Sequence, residues 1–455
     1  MTESASVSAI APWFFERLVQ WGDEKALVWK NTETNYSSLL RLSEGWRERF
    51  EAQRVVQGQV VALEGSFSPN ACAALIALVK LGAIVVPLTP VMRAQREKFL
   101  EIAEVRLRVE FDAADGATLA TYDRVVSNPL TRKLVERGNP GLVIFSSGST
   151  GSPKAILHDF SAILDKFEKV RQKKTTLTFL LFDHIGGIDT MFNTFASGGT
   201  VVTVEAREPE VVCKAIAQHG VHTLPTSPTF LNLLLMSGAA EHHDLSSLKV
   251  IAYGTEPMPE STLKALHEVL PDVSLVQTYG MSELGVLRSR SRDSQSLWLK
   301  FTGEGFEIKI VDGILWVRAK TAMMGYLNAP DLFDADGWLN TQDAVEVDGE
   351  YLRILGRTTD LINVGGQKVY PAEVENVLLQ LENVEDVAVF GKAQPMMGQV
   401  VAARFKLRTP EAIDLFKRRM MAFCRERLAN YQVPRAVEFT DAEQFGARFK
   451  KMRHG

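Results

Sequence analysis

The apolar positions of the chain fall into short runs separated by longer stretches of helical spacing. Segments 59–64, 84–88, 142–146 and 200–204 are strand-length apolar runs bounded by Gly, Pro or polar residues, the pattern of buried strands. Between the first two, 71–81 predicts a buried helix. The alternation continues through 221–224, 248–252 and 274–278, each preceded by a helical pattern. Strands alternating with helices predict an α/β architecture. From about residue 303 the pattern changes to short strands at 306–311, 314–318, 344–347 and 351–355. Asp312-Gly313, Asp336-Gly337 and Asp348-Gly349 punctuate them, and Asp-Gly between alternating runs predicts hairpins. Residues 358–455 carry an alternation of their own: a helix from 372, strands near 384–390 and 400–405, and a helix over 411–428. The expected organisation is a large N-terminal domain of α/β layers over 1–357, with a β-rich subdomain at about 303–356, and a small mobile α+β domain over 358–455. No internal repeat interrupts it.

Composition bounds the function. A chain of 455 residues exceeds a single compact core, and 46% hydrophobic with 23% charged residues is ordinary for a chain that folds throughout. The net charge of −4, with bases scattered among acids, argues against nucleic acid as a main partner. Cys72, Cys213 and Cys424 are far apart and lack metal-ligand spacing, so they read as reduced thiols in a cytoplasmic protein. Residues 1–12 lack the basic start and apolar core of a secretory signal. The most apolar stretch, 71–88, contains Lys80, Gly82 and Pro87, and reads as a helix turning into a strand rather than a membrane span.

The densest chemical signal follows the apolar run at 142–146: Ser146-Ser147-Gly148-Ser149-Thr150-Gly151-Ser152-Pro153-Lys154. Glycines let backbone N–H groups converge on an anion, hydroxyls add donors and one lysine adds charge, a combination suited to polyphosphate. It is not a Walker A loop, since Lys154 does not directly follow a glycine and no Ser or Thr follows it. An apolar helix is expected after Lys154.

Strand, loop and helix in that order closely resemble the phosphate-loop signature of the adenylate-forming superfamily, which comprises acyl- and aryl-CoA synthetases, peptide-synthetase adenylation domains and luciferases. Further segments match in the family's order. Lys80-Leu81-Gly82-Ala83 leading to Pro87-Leu88 is similar to an early family segment, and Thr278-Tyr279-Gly280-Met281-Ser282-Glu283 resembles Tyr-Gly-x-Thr-Glu. Gly254-Thr255-Glu256-Pro257-Met258 is similar to the segment beside adenine and the acid, and Asp183-His184-Ile185-Gly186-Gly187 to a His-x-x-Gly segment beside the acid pocket. Gly313–Arg318 with Gly325-Tyr326 looks like a scaffold motif to which no catalytic role is given. Thr341-Gln342-Asp343 stands where the family has Thr-Gly-Asp, and the segment from Gly356-Arg357 to Pro371-Ala372-Glu373-Val374-Glu375 is the most extended match. At the end of the chain Lys450 and Arg453 keep a Lys-x-x-Arg spacing, with Phe449 in place of a glycine and Lys451 as a competing lysine.

The resemblance implies ATP-dependent activation of a carboxylic acid as acyl-AMP, then transfer to the thiol of CoA or of a carrier protein's phosphopantetheine. It implies that Ser146, Ser147, Gly148, Ser149, Thr150, Gly151 and Lys154 hold phosphates, and that Gly254, Thr255 and Glu256 lie against the nucleotide. Tyr279 would stack on adenine, with Gly280 beside it, Ser282 on the α-phosphate, and Asp343 and Arg357 on the ribose side. Glu283 would hold Mg²⁺, the hard cation that a carboxylate and phosphate oxygens suit. Lys450, Thr150 and Glu283 are then the expected catalytic residues, His184, Gly254 and Gly280 the acid pocket, Gly365 and Gly366 the thiol tunnel, and Thr359 the hinge. Asp183 is an alternative reader of a substrate amine, as in amino-acid-activating relatives. Apolar flanks at 190–195 and 225–231 favour an aryl, fatty or other neutral acid. The alternatives to a CoA ligase are loading of a separate acyl carrier protein, a non-catalytic member that binds acyl chains or nucleotide, and a P-loop NTPase, which the order of motifs disfavours.

Overall fold

The structure is a computed structural model that describes residues 10–146, 153–394 and 398–453. Among the described residues, two seven-stranded sheets form the body of the larger domain. In one, Gly141–Ser146, Ile84–Leu88, Val60–Glu64 and Leu107–Phe111 run parallel, flanked by antiparallel Lys154–Asp159 and Gly325–Tyr326 at one edge and Ala117–Thr121 at the other. In the other, Ser274–Gln277, Val250–Tyr253, Thr223–Thr226, Thr175–Leu177, Thr200–Val202 and Lys25–Trp29 are parallel, with Thr32–Asn35 antiparallel at the edge. Helices cover both sheets, as parallel strands require.

The helix Pro69–Lys80 shows why these elements form. Ser68 caps its first turn through Ala71 N–H, Pro69 sits where its missing N–H is harmless, and every residue from Ala71 to Val79 is buried. A helix apolar on all sides belongs inside, and this one packs in a core with Trp46, Phe111 and Phe182. Cys72, Cys213 and Cys424 are all buried free thiols.

A six-stranded antiparallel sheet follows and begins at Ser289, earlier than the expected boundary near 303. The Asp-Gly signals are realised at Asp312-Gly313, where both residues have positive φ in a two-residue turn pairing Val311 with Ile314. The sheet's last strand, Tyr351–Arg357, leads into a single 3-10 turn, Thr358–Asp360, and the chain then enters a separate five-stranded sheet at Ile362–Val364. That sheet, with helices Pro371–Leu378 and Ile413–Cys424, has its own core around Phe405, Phe416 and Met420.

One expectation is corrected. The segment after Lys154 is not a helix but the strand Lys154–Asp159, which returns antiparallel along Gly141–Ser146 with Ser146 opposite Lys154. Ala155, Ile156, Leu157 and His158 are all buried, and a short run apolar on both faces has no period that separates helix from strand.

Because Leu78 is fully enclosed in the helix Pro69–Lys80, Leu78→Ala should lower the unfolding free energy by about 2–5 kcal/mol. Urea melts of the two proteins would measure it, and a loss below about 1 kcal/mol would show that the core collapses around the gap.

Candidate active site

The carboxyl ends of the parallel strands deliver most of the site, which is where open α/β sheets place ligands. Ser146 ends one strand and Lys154 begins its antiparallel neighbour, so the phosphate segment joins two adjacent strands. Ser147, Gly148, Ser149, Thr150 and Gly151 lie outside the described residues. Asn328 fixes the exit of the segment: its side-chain amide donates to Pro153 O (2.9 Å) and its Oδ1 accepts from Ala155 N–H (2.9 Å). The Lys154 ammonium stands 5.1 Å from the centre of the Tyr326 ring, and the Tyr326 hydroxyl donates to Glu283 Oε1 (2.7 Å). Lys154 and Glu283, far apart in sequence, thus share one wall.

Glu283 follows the short strand Tyr279–Met281, which pairs with Gly285–Leu287. His158 is buried and donates from Nε2 to Ser282 O (2.6 Å), and burial pulls its pKa below the usual histidine value, so it serves as a neutral donor. The carbonyl of Glu283 accepts from Met323 N–H (2.7 Å). Gly280 is required by close approach, since a Cβ there would stand 2.7 Å from Gly285 O.

Asp343 and Arg357 face each other across antiparallel strands, with Arg357 Nε 3.5 Å from Asp343 Oδ1. The buried Tyr279 hydroxyl donates to Asp343 Oδ2 (2.6 Å), and Asp343 N–H donates to Thr341 Oγ1 (3.1 Å). Burial pushes the Asp343 carboxyl pKa up, opposed by Arg357, the Tyr279 hydroxyl and Lys450. Between Thr341 and Asp343, Gln342 has φ 61°, so it adopts the left-handed backbone of the glycine it replaces. Phe449, the other departure from the family pattern, has φ 50°. Each such residue costs about 1–2 kcal/mol, and both loops keep the shape a glycine would give.

Gly254 follows the strand Val250–Tyr253 and packs so closely on Thr278 that a Cβ would lie 2.6 Å from its hydroxyl; Thr255 beside it has φ 74°. Glu256 spends its carboxylate on protein: one oxygen accepts from Thr229 N–H (2.8 Å) and the Thr229 hydroxyl, the other from Lys451 N–H (3.0 Å). It joins the two domains instead of facing outward as a free nucleotide ligand.

The two candidate lysines differ sharply. The Lys451 ammonium is bonded to Asp386 Oδ1 (2.8 Å) and Val387 O (2.9 Å), and Arg453 forms two bonds to Glu375 (2.9 and 2.7 Å). The Lys450 ammonium has no such partner among the described residues, and its side chain is exposed beside Arg357. Protein packed around it, with Arg357 nearby, pulls its pKa below the usual lysine value, against Glu256 and Asp360. Thr359 lies in the exposed turn between the domains. Gly365 and Gly366 form the exposed tip of a two-residue hairpin, both with positive φ.

His184 caps the helix Ile185–Ala196, its Nδ1 accepting from Gly186 N–H (3.0 Å). Gly187 admits no side chain, because a Cβ would fall 2.2 Å from Leu181 O. Within the expected apolar flank, Met191, Phe192 and Phe195 point into the main core, so their apolarity is explained by packing.

A model of the AMP-binding enzyme family matches residues 14–327, and one of the AMP-binding enzyme C-terminal domain matches residues 373–450. The chain belongs to the AMP-binding enzyme family. Members similar to it include a (7a-methyl-1,5-dioxo-octahydro-1H-inden-4-yl)propanoyl:CoA ligase of Rhodococcus jostii, 30% identical over 73% of this chain and 67% of that protein. A 2-succinylbenzoate–CoA ligase of Bacillus cytotoxicus is 28% identical over 94% of each chain, and an indoleacetate–CoA ligase of Aromatoleum aromaticum 27% identical over 91% of each. The fold is also that of an anthranilate CoA ligase solved with anthranoyl-AMP, with a TM-score of 0.83 at 20% identity over 98% of this chain and 96% of that one. As a member of the AMP-binding enzyme family the protein is an AMP-forming ligase that uses ATP to activate a carboxylic acid.

Three site residues escape a reading of motifs. His158 and Tyr326 reach Ser282 and Glu283 from neighbouring strands, and Asn328 fixes the exit of the phosphate segment. Tyr326 belongs to the motif read as scaffold and Asn328 lies two residues beyond it, and no spacing in the sequence links either to the site.

Burial, with Arg448 and Lys450 facing it, lowers the His184 pKa from 6.5 to about 3. The unfolded chain therefore takes up this proton first, and the contribution to stability is complete above pH 6.5 and lost as pH falls toward 3. His184→Gln should show a shallower fall in stability over that window, measured by denaturant melts at successive pH values; an unchanged acid slope would remove the assignment.

Proposed function

We propose that the protein is an acid–CoA ligase for ring-bearing carboxylic acids that lack an amino group, with Lys450 as its adenylation lysine. The observation that carries the lysine assignment is the contrast between Lys451, held by Asp386, and Lys450, whose ammonium has no such partner among the described residues and stands near Asp343 and Arg357. The acid class is supported by relatives that act on succinylbenzoate and indoleacetate. It is supported also by Asp183, whose negative charge is already opposed by Arg448 at Oδ2, while its buried Oδ1 accepts no hydrogen bond among the described residues. CoA as acceptor follows the same relatives.

In the first half-reaction a carboxylate oxygen of the acid attacks the α-phosphorus of ATP, the bond to the bridging oxygen breaks and pyrophosphate leaves. Two anions must meet, so the protein's work is to screen charge and hold the line of attack. Lys450 would sit between the carboxylate and the α-phosphate, Ser282 and the hydroxyls and amides of the phosphate segment would bind phosphate oxygens, and Asp343 with Arg357 would hold the ribose. Glu283 fits Mg²⁺: it is a lone carboxylate with one oxygen fixed by Tyr326, and no cluster of three metal-ligating side chains exists among the described residues. Mg²⁺ takes such a site when phosphate oxygens complete its shell, and there it would neutralise phosphate charge. In the second half-reaction the thiol loses its proton, its sulfur attacks the acyl carbon and AMP departs. The small domain would turn about Thr359, carrying Lys450 away and bringing Gly365 and Gly366 alongside the pantetheine arm. A hairpin tip without side chains suits close passage of a thin chain.

The test is acid-dependent ATP–pyrophosphate exchange over benzoate, 2-succinylbenzoate, indoleacetate, octanoate and phenylalanine, followed by mass spectrometry of products with CoA. Exchange with ring-bearing acids and the matching acyl-CoA are expected; exchange with phenylalanine alone would reverse the acid assignment, and exchange without acyl-CoA would point to a carrier protein. Lys450→Ala should slow acyl-AMP formation by about a hundredfold, roughly 3 kcal/mol of transition-state stabilisation. Thioester formation from synthetic acyl-AMP should survive. If Lys451→Ala instead abolishes adenylation, the assignment moves by one residue.

A further inference from the structure

The tail that carries Lys450 is anchored differently on its two sides. After Lys450, the side chains of the tail reach the small domain, Lys451 to Asp386 and Arg453 to Glu375, while the Lys451 N–H donates to Glu256 of the large domain (3.0 Å). Before Lys450, the contacts go to the large domain. Arg448 Nη2 is 3.1 Å from Asp183 Oδ2, an oxygen that also accepts from the Thr89 hydroxyl (3.0 Å), and Asp183 is 3% exposed. Arg207 donates from Nη2 to Ala447 O (2.6 Å), and its guanidinium stands 5.0 Å from the centre of the Phe449 ring. The Phe449 ring meets Phe179 and Phe230 edge-on at centroid distances of 5.3 and 6.0 Å.

We infer that Asp183, through Arg448 and with Phe449 seated against Phe179 and Phe230, is a latch that positions Lys450 for adenylation. This rests on the proposed role of Lys450 and goes beyond it by naming what holds that lysine in place. The small-domain anchors travel with Lys450 when the domain turns, so they cannot choose between poses. The Arg448, Ala447 and Phe449 contacts must break in that turn, and they therefore favour the adenylation pose alone. A carboxylate as enclosed as Asp183 is poorly screened by water, so its pair with Arg448 is worth more than a surface ion pair. Phe449 occupies a glycine-like backbone at an energetic cost, and its ring supplies a contact no glycine could make. The two residues immediately before Lys450 thus fix the direction in which its side chain leaves the turn closed by Phe449 N–H to Gly446 O (2.9 Å). They are positioning residues and touch no reacting atom.

The experiment separates the half-reactions. The probes are the fastest-exchanging acid of the panel above and its synthetic acyl-AMP. Arg448→Met should lower kcat for adenylation about tenfold, a change near 1.4 kcal/mol, with the KM for ATP changed less than about twofold and thioester formation from acyl-AMP retained. Arg448→Lys should restore part of the loss. Asp183→Asn should match Arg448→Met, and the double variant should be no slower than either, because a shared contact can be lost only once. A second readout needs no substrate: amide hydrogen exchange over residues 445–451 should quicken in Arg448→Met and in Phe449→Ala. Equal losses in both half-reactions, additive losses in the double variant, or unchanged adenylation and exchange protection would each overturn the latch. If Asp183→Asn does not fold, Arg448→Met and Phe449→Ala decide the matter. Intact adenylation in Lys450→Ala would overturn the underlying lysine assignment, whereas loss in Lys450→Ala with none in Arg448→Met would overturn the latch alone.

Discussion

The site is organised around positive charge that protein groups leave only partly neutralised. Lys450 stands near Arg357 with no carboxylate bonded to its ammonium among the described residues, and its proton is held less firmly than an ordinary lysine's as a result. Lys154 stands over a tyrosine ring, with no carboxylate bonded to it among the described residues. Gathering cations without carboxylate partners is unfavourable until a polyanion arrives, and then the same arrangement stabilises charge without reorganising. Much of the surrounding structure exists to hold these groups still. The buried Tyr279–Asp343 bond fixes one side, the Tyr326–Glu283 bond another, and the ion pairs of Lys451 and Arg453 brace the tail from behind.

The division of labour between neighbours in sequence is instructive. Lys450 and Lys451 are chemically identical, yet Lys451 is a strut and Lys450 is exposed, because the bridge pairing Phe445 with Lys451 orients alternate side chains oppositely. Glu256 likewise resembles a nucleotide ligand by motif, and by geometry its carboxylate holds Thr229 and Lys451 at once.

How much of this was legible follows from which signals are local. The layered α/β body, the hairpins at Asp-Gly and the change of sheet beyond Arg357 are written in short-range periodicity and turn chemistry, and they could be read directly. The strand after Lys154 could not, since Ala155–Leu157 is apolar on both faces and only its pairing partner reveals its state. Gln342 and Phe449 looked like departures from a glycine pattern, and their positive φ values show that backbone shape persisted where residue type did not. His158, Tyr326 and Asn328 act across strands from distant parts of the chain, so no spacing could connect them to Ser282, Glu283 or the phosphate segment. The pairing of Asp183 with Arg448 spans 265 positions and was likewise beyond sequence.

The buried thiols have a practical side. Burial pushes Cys213 up to about 12 and Cys424 to about 11, and raises Cys72 further, so little thiolate exists at neutral pH on any of them. Maleimide dyes and spin labels, which react with exposed thiolate, would leave the native chain nearly untouched. Cysteines placed on the two domains could then be labelled without first removing the native three, and the distance between the domains followed in solution on the otherwise unaltered enzyme.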